Sequence, residues 1–460
     1  MGTTEILARF VIETGYNDFP KEAVELAKGY ILDCVGHTIG GSGEEVSRRL
    51  MNHLRESGGK PEVGVTGGRF KTTVPNACWV NGTSAHALEL EAAGRFGGSN
   101  YSPLVPSALA LGEMLNSSGK SVIEAFVLGV EIQGKVGLGS IGAPNRGYIG
   151  FMYGPIAVAA IAAKLMKFDT SLLTTSLGLA IPYCGGFRRS TGSMAHLLDS
   201  GIAARDGVVA AFLAKAGITA CQDIIEGWEG FGEVYCEGEQ GGYDFDAMTK
   251  DLGNPFYIIS PGTSAKSYGC CVQNDRALDA IFKLIEQYDI HYDQVESVEV
   301  ETPPHTGKML RFNEPRSGEE AKFSLKHSLA AALLTRKPEM PWTAPFTDER
   351  AVDPKYKEAR AKINWKIRTD LPMTRVHTGE QKVALKMRDG RVLSNAVDAS
   401  NQRGARGKDL SREDRLTIFR SCVKGKISDA EAERLVALVS ILEELDSVRE
   451  IAEIMTSAQA

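Results

Sequence analysis

The chain has 460 residues, 43% of them hydrophobic and 24% charged, with a formal net charge of -6. That length exceeds what one hydrophobic core sustains, so two domains are expected, and the composition is that of a folded globular protein. A mildly negative balance with no long block of one sign excludes a nucleic-acid surface as the main function, while leaving room for a local basic pocket.

The first residues, MGTTEILARFVIETGYNDF, carry early acids and no apolar run leading to a small-residue cleavage site, so no secretory signal is expected. Pro20, Lys21 and Glu22 open a helix with proline at its start and acid in its first turn, and Val24, Ala27, Ile31, Cys34 and Val35 follow at helical spacing until Gly40 and Gly41 stop it. Residues 42–56 repeat the pattern with Ser42 as a cap, and VGVTGG at 63–68 reads as a short strand. Residues 81–106 read as a short helix capped by Asn81 and carrying His86, Glu89 and Glu91. A Gly-rich loop around Arg95 and Tyr101 follows, closed by Pro103 and Pro106.

Helices are then expected at 107–115, 122–132, 156–166, 171–181 and 198–216, rich in Ala and Gly and able to approach closely. The most apolar run, 151–166, contains Lys164 and is shorter than the roughly 20 residues that span a bilayer, so it reads as a buried helix and no membrane partner is expected. Residues 222–241 read as an acidic, aromatic loop.

Beyond Pro255 the texture changes. Residues 257–261 look β-like, 275–287 helical, and QVESVEVET alternates as a half-buried strand does. Helices are expected at 323–334 and 348–362, and Asp389-Gly390 within VALKMRDGRVL is a hairpin signal. From Ser411 the pattern is helical again, in two segments. The expected architecture is mainly α, with a large all-helical domain (1–258 and 402–460) and an inserted smaller α+β lid domain (259–401). Eight scattered cysteines, without CxxC, HxxxH or HExxH, indicate neither a disulfide framework nor a zinc site, so a cytoplasmic protein without a metal is expected. Glu89 and Glu91 do not share a helix face, which further weakens a metal reading of His86, Glu89 and Glu91.

Several stretches together resemble one family, that of 2-methylcitrate dehydratase, cis-aconitate decarboxylase and iminodisuccinate epimerase (the MmgE/PrpD family). They are NGTSAHALELE, VPSALALGE, GFMYGPIAVAAIAAKL, GSMAHLLDSGIAARDGVVAAFLAKAG, KSYGCC, EAKFSLKHSLAAALL and FTDERAVDPKY. The resemblance implies a helical domain with an α+β lid, an active site between them, a homodimer and no cofactor. Dehydratase and decarboxylase members carry an Asp-rich run where this chain has Glu89-Leu90-Glu91-Ala92-Ala93, and a His where it has Met152 and then Tyr153. They carry Lys and His where it has His196 and Asp199, and another His where it has Asp275, while Lys266 and Tyr268 keep the family pattern.

A substrate with several carboxylates needs fixed cations. Arg95, Arg146, Arg188, Arg189, His196 and Lys266 lie in or beside the motif loops, a surface charge being the competing reading for Arg146 and Arg188-Arg189. An epimerase without a cofactor needs two acid/base groups on opposite faces of one carbon. Lys266 is the first candidate, and Tyr153, Tyr148, His86 and His196 compete for the second place. The exchanged acid/base positions favour an epimerase (an isomerase) of an amino-dicarboxylate such as iminodisuccinate, with Lys266, Tyr153 and His196 catalytic. His86, Glu89, Arg95, Tyr101, Arg146, Tyr148, Arg188 and Tyr268 would then hold a small polycarboxylate substrate. The alternatives are a dehydratase or decarboxylase of a tricarboxylate, and a catalytically inactive member.

Overall fold

Small apolar side chains at helical spacing let the first half of the chain pack helix against helix, and the computed structural model shows a mainly α protein. It describes residues 1–94, 100–236, 242–339, 341–371, 379–405 and 407–460. The chain divides into two compact units, one of residues 1–189, 197–263 and 419–460, the other of 190–196 and 264–418. Among the described residues no helix is long and apolar enough to cross a membrane.

In the first unit, Val74–Ala87 packs against Lys21–Gly41 and Leu104–Leu115, and Gly119–Gly139 packs against Gly154–Leu165. Gly154–Leu165 is buried on nearly every side, as an all-round apolar helix must be. Glycines set how closely these helices approach: a Cβ at Gly129 would press on Ile161, and one at Gly134 would enter the ring of Tyr257. Asn81 is not a cap. The helix already starts at Val74, with Pro75 in its first turn, and the Asn81 side chain instead receives the Thr66 amide at 2.9 Å and donates to the Gly64 carbonyl at 3.2 Å. Ser42 likewise closes the preceding helix by donating to the Ile39 carbonyl rather than opening the next. Residues 257–261 form turns instead of a strand, because the Tyr257 amide is taken by the buried Glu131 carboxylate at 2.5 Å and is not offered to a ladder.

The second unit is built on a four-stranded sheet. Its strands are β1 (Val295–Thr302), β2 (Ile363–Ile367), β3 (Gln381–Met387) and β4 (Val392–Val397), in the order β2-β1-β3-β4. β1 runs parallel to β2, which the sequence reading passes over, and antiparallel to β3. Val295 and Val298 are three apart yet both are buried, which a strict two-residue alternation forbids. A register shift between Val295 and Ser297 restores the pleat. The β3–β4 hairpin turns at Asp389-Gly390, with Gly390 at φ 89 and the Asp389 carboxylate receiving the Arg391 amide. The helix Asp275–Tyr288 covers β3 and β4. Residues 348–362 form two helices, Asp348–Val352 and Pro354–Ala361. The break falls where Pro354 supplies no amide and Asp353 caps the Lys355 amide at 2.8 Å. Beyond Ser411 there are three α-helices, Arg412–Val423, Asp429–Ser440 and Arg449–Ser457, where two segments were expected.

His327 lies inside this second unit. Its Nε2–H donates to the Pro345 carbonyl at 2.9 Å, its Nδ1 accepts from Arg360 at 3.2 Å, and its ring stacks on Tyr356. Burial, reinforced by the Arg360 charge, pulls its pKa from 6.5 down to about 4. The unfolded chain therefore binds a proton here before the folded one does. Stability is fully present above pH 6.5 and is lost as pH falls toward 4, by about 3 kcal/mol from this group. Denaturant titrations at pH 7 and pH 4.5 check this, and replacing His327 with Gln should flatten the dependence.

Candidate active site

The helix Val74–Ala87 ends at a residue that does not suit its conformation. Glu89 has φ 54, the left-handed region in which a helix commonly terminates on glycine, and its amide returns to the His86 carbonyl at 2.9 Å. That reversal takes Glu89 and Glu91 off the helix and brings both back to one imidazole. Glu91 Oε2 lies 3.0 Å from His86 Nδ1, and Glu89 Oε1 lies 3.5 Å from His86 Nε2. The two carboxylates therefore converge although they never share a helix face. His86, Glu89 and Glu91 are 1%, 3% and 5% exposed, and Phe151 meets the imidazole edge-on at 4.5 Å. Since the lone-pair directions of Nδ1 and Nε2 diverge, one ion bound through one nitrogen could not collect both carboxylates. The arrangement places one buried imidazole at ion-pair distance from two buried carboxylates.

Tyr153 ends the short turn Gly150–Tyr153 that leads into Gly154–Leu165 and is fully buried, 6.5 Å from Phe231 between ring centres. Phe231 neighbours Tyr235, which neighbours Tyr148, which in turn neighbours Phe187, so rings connect buried Tyr153 to exposed Phe187. Tyr235 donates to the Cys184 carbonyl, and burial raises its phenol to about 12. Arg188 donates to the Pro144 carbonyl at 2.5 Å and Arg146 to the Val234 carbonyl at 2.8 Å, so Arg146, Tyr148 and Arg188 belong to one loop cluster. Tyr101 is packed among Tyr30 and Phe126, its hydroxyl 3.0 Å from the Thr263 hydroxyl. Arg95 lies outside the described residues.

In the second unit, Lys266 is 3% exposed with Nζ 3.5 Å from the Cys270 carbonyl oxygen. Tyr268 stacks on Phe282 and donates to Asp279 at 2.8 Å, and burial beside that carboxylate raises its phenol well above the ordinary value. His196 meets the edge of Phe323 at 5.3 Å, and Gly192 leaves the space that Phe312 fills. Two buried or partly buried arginines escaped the sequence reading. Arg311 donates to the Thr191 carbonyl at 2.7 Å, and Arg276, 1% exposed, donates to Gln273 at 3.1 Å and to the Gly379 carbonyl. Burial lowers the Arg276 pKa to about 10. The available signal was a guanidinium in the first turn of an amphipathic helix, directly after Asp275.

Residues 5–244 match the MmgE/PrpD N-terminal domain, and residues 268–444 match the MmgE/PrpD C-terminal domain. The chain is 23% identical over 457 residues to a cis-aconitate decarboxylase of Mus musculus, covering 96% of this chain and 91% of that protein. It is 23% identical over 445 residues to the Homo sapiens cis-aconitate decarboxylase, covering 92% and 88%. With an Aspergillus terreus cis-aconitate decarboxylase it shares 24% over 304 residues, covering 62% and 61%. These relatives are lyases, and they overturn the isomerase expectation: exchanged acid/base positions measure divergence of the site and do not by themselves change the class of reaction. With both domains matched in order over most of its length, the chain belongs to the MmgE/PrpD family.

Proposed function

We propose that the protein is a lyase acting on a small tricarboxylate, decarboxylating a substrate of the cis-aconitate type or dehydrating one of the 2-methylcitrate type. The observation that carries this is the similarity to cis-aconitate decarboxylases over 96% of the chain. Decarboxylation breaks the bond between a carboxylate carbon and its neighbour, releases carbon dioxide and leaves the electron pair on the substrate. A proton from an enzyme acid then forms the new C–H bond. Dehydration removes a proton from carbon and gives one to the departing hydroxyl. Both need fixed cations for the carboxylates and an acid/base group held away from water.

Lys266 supplies a buried ammonium for the first task, and Arg146, Tyr148 and Arg188 are the proposed holders of further carboxylates. His86 with Glu89 provides acid/base capacity, and Tyr153 and His196 are the other candidate proton donors. Tyr101 and Tyr268, whose hydroxyls are engaged with Thr263 and Asp279, are the remaining proposed substrate-binding residues. No cofactor is required by this reading, and a homodimer belongs to it; the mass in solution tests the latter.

The reaction is tested by incubating the protein with cis-aconitate and, separately, 2-methylcitrate in deuterium oxide, followed by carbon and proton NMR. Loss of carbon dioxide with one deuterium entering the product identifies a decarboxylase, and loss of water a dehydratase. A folded protein that removes neither from either acid would end the lyase reading.

A further inference from the structure

A lysine serves a reaction only as well as the backbone beneath it is held, and Lys266 stands in an irregular stretch, residues 265–271, without a helix to fix it. The ties of that stretch are specific. Before Lys266, the Ala265 amide donates to the Gly404 carbonyl at 3.0 Å. The two backbones approach so closely there that a Cβ at Gly404, whose φ is 78, would lie 2.0 Å from the Ala265 carbonyl oxygen. After Lys266, the Trp342 amide donates to the Ser267 carbonyl at 3.2 Å and the Gly269 amide to the Trp342 carbonyl at 3.0 Å. Asp279 joins the two sides. One of its oxygens receives the Tyr268 hydroxyl at 2.8 Å, and the other receives the Arg403 amide at 2.8 Å. One turn earlier on the same helix face, Asp275 receives the Gln402 side-chain amide at 3.4 Å, so the helix Asp275–Tyr288 grips residues 402–403 twice.

We infer that Asp279 is a positioning residue for Lys266 in the proposed lyase reaction. Its two oxygens anchor both neighbours of the lysine at once: Tyr268, two residues after it, directly, and Ala265, one residue before it, through Arg403 and Gly404. The Tyr268 hydroxyl is the link on one side and the Gly404 carbonyl the link on the other. With both ends fixed to one helix, the Lys266 side chain leaves the backbone in a single direction, its Nζ 3.5 Å from the Cys270 carbonyl oxygen. Supporting hydrogen bonds of this kind hold a charged group in the geometry its reaction needs. The inference rests on the lyase reading for its catalytic meaning, but the placement of the lysine does not.

Two measurements separate these. First, carbon-13 NMR of lysine-labelled protein, with the Lys266 ε-methylene assigned by its loss in Lys266→Met, reads how firmly the side chain is held. The native protein should show two distinct ε-proton shifts, as a side chain kept in one rotamer does. Asp279→Leu, which takes the acceptor from both donors, should merge or displace them, and Gly404→Ala should displace them from the other side. Asp279→Asn should return the native signal, because its oxygen can accept the Arg403 amide while its NH2 donates to the Tyr268 oxygen. Second, with whichever tricarboxylate is turned over, Tyr268→Phe should lower kcat about tenfold with KM within about threefold, and Asp279→Asn should keep most of the activity. A native Lys266 signal in folded Asp279→Leu overturns the inference, whether or not a substrate has been found. So does a single averaged ε signal in the native protein, or a Tyr268→Phe loss confined to KM. Should Asp279→Leu not fold, the same spectrum of Tyr268→Phe decides: a displaced Lys266 signal supports the assignment and an unaltered one refutes it. Absence of turnover in the native protein counts against the lyase reading alone.

Discussion

Replacing Lys266 with Met is expected to lower kcat/KM for a tricarboxylate by about 10²- to 10³-fold while the protein keeps its fold, the loss typical of removing one positioned charge from a water-excluded site. Lys266 is 3% exposed with its Nζ 3.5 Å from the Cys270 carbonyl oxygen, so its head group is held away from bulk water. Met keeps the length and apolar stem but removes the charge. If the cation serves the substrate, activity should fall while stability stays close to that of the native protein. If it serves the fold, stability should fall and activity should follow it. Thermal midpoints together with single-turnover rates on the substituted protein distinguish the two, and full activity in Lys266→Met would remove Lys266 from the proposed machinery.

The second large effect is structural. Gly201→Ala is expected to destabilise the first unit by about 3 kcal/mol, at the upper end of overpacking effects. A Cβ there would overlap the Trp79 carbonyl oxygen and the Thr83 hydroxyl, and a Cβ added at Gly82 on the opposing helix would press on Gly201 Cα and Ala204. Two glycines thus set the crossing of Val74–Ala87 with residues 197–215, and a backbone carbonyl cannot move aside as a side-chain end can. Because Val74–Ala87 carries His86, a tolerated Gly201→Ala protein should also show a displaced His86 nitrogen signal. Denaturant unfolding checks the first expectation, and a midpoint within experimental error of the native one would show that the helices can separate at little cost.

Much of the fold is legible in the sequence for local reasons. The helix from Lys21 to Gly41 follows from proline at its start and from apolar spacing, and the β3–β4 turn follows from Asp389-Gly390, where only glycine readily takes φ 89. Failures occur where a distant group competes for the backbone. Glu131 takes the amide of Tyr257, and Asn81 serves Thr66 and Gly64 from the middle of a helix. β2 escapes notice because INWKI is mostly exposed and becomes a strand by pairing with β1 from 65 residues earlier (Val298 with Ile363).

The same division runs through the site. Residue types, their order and the family they signal are determined by the sequence alone, because motifs are local and the helical pattern is periodic. Which groups meet is decided by the tertiary structure. Three-residue and five-residue separations on a continuing helix would have kept Glu89 and Glu91 on different faces. The left-handed backbone at Glu89 brings them to opposite nitrogens of His86, a convergence produced by a single chain reversal that periodicity does not contain.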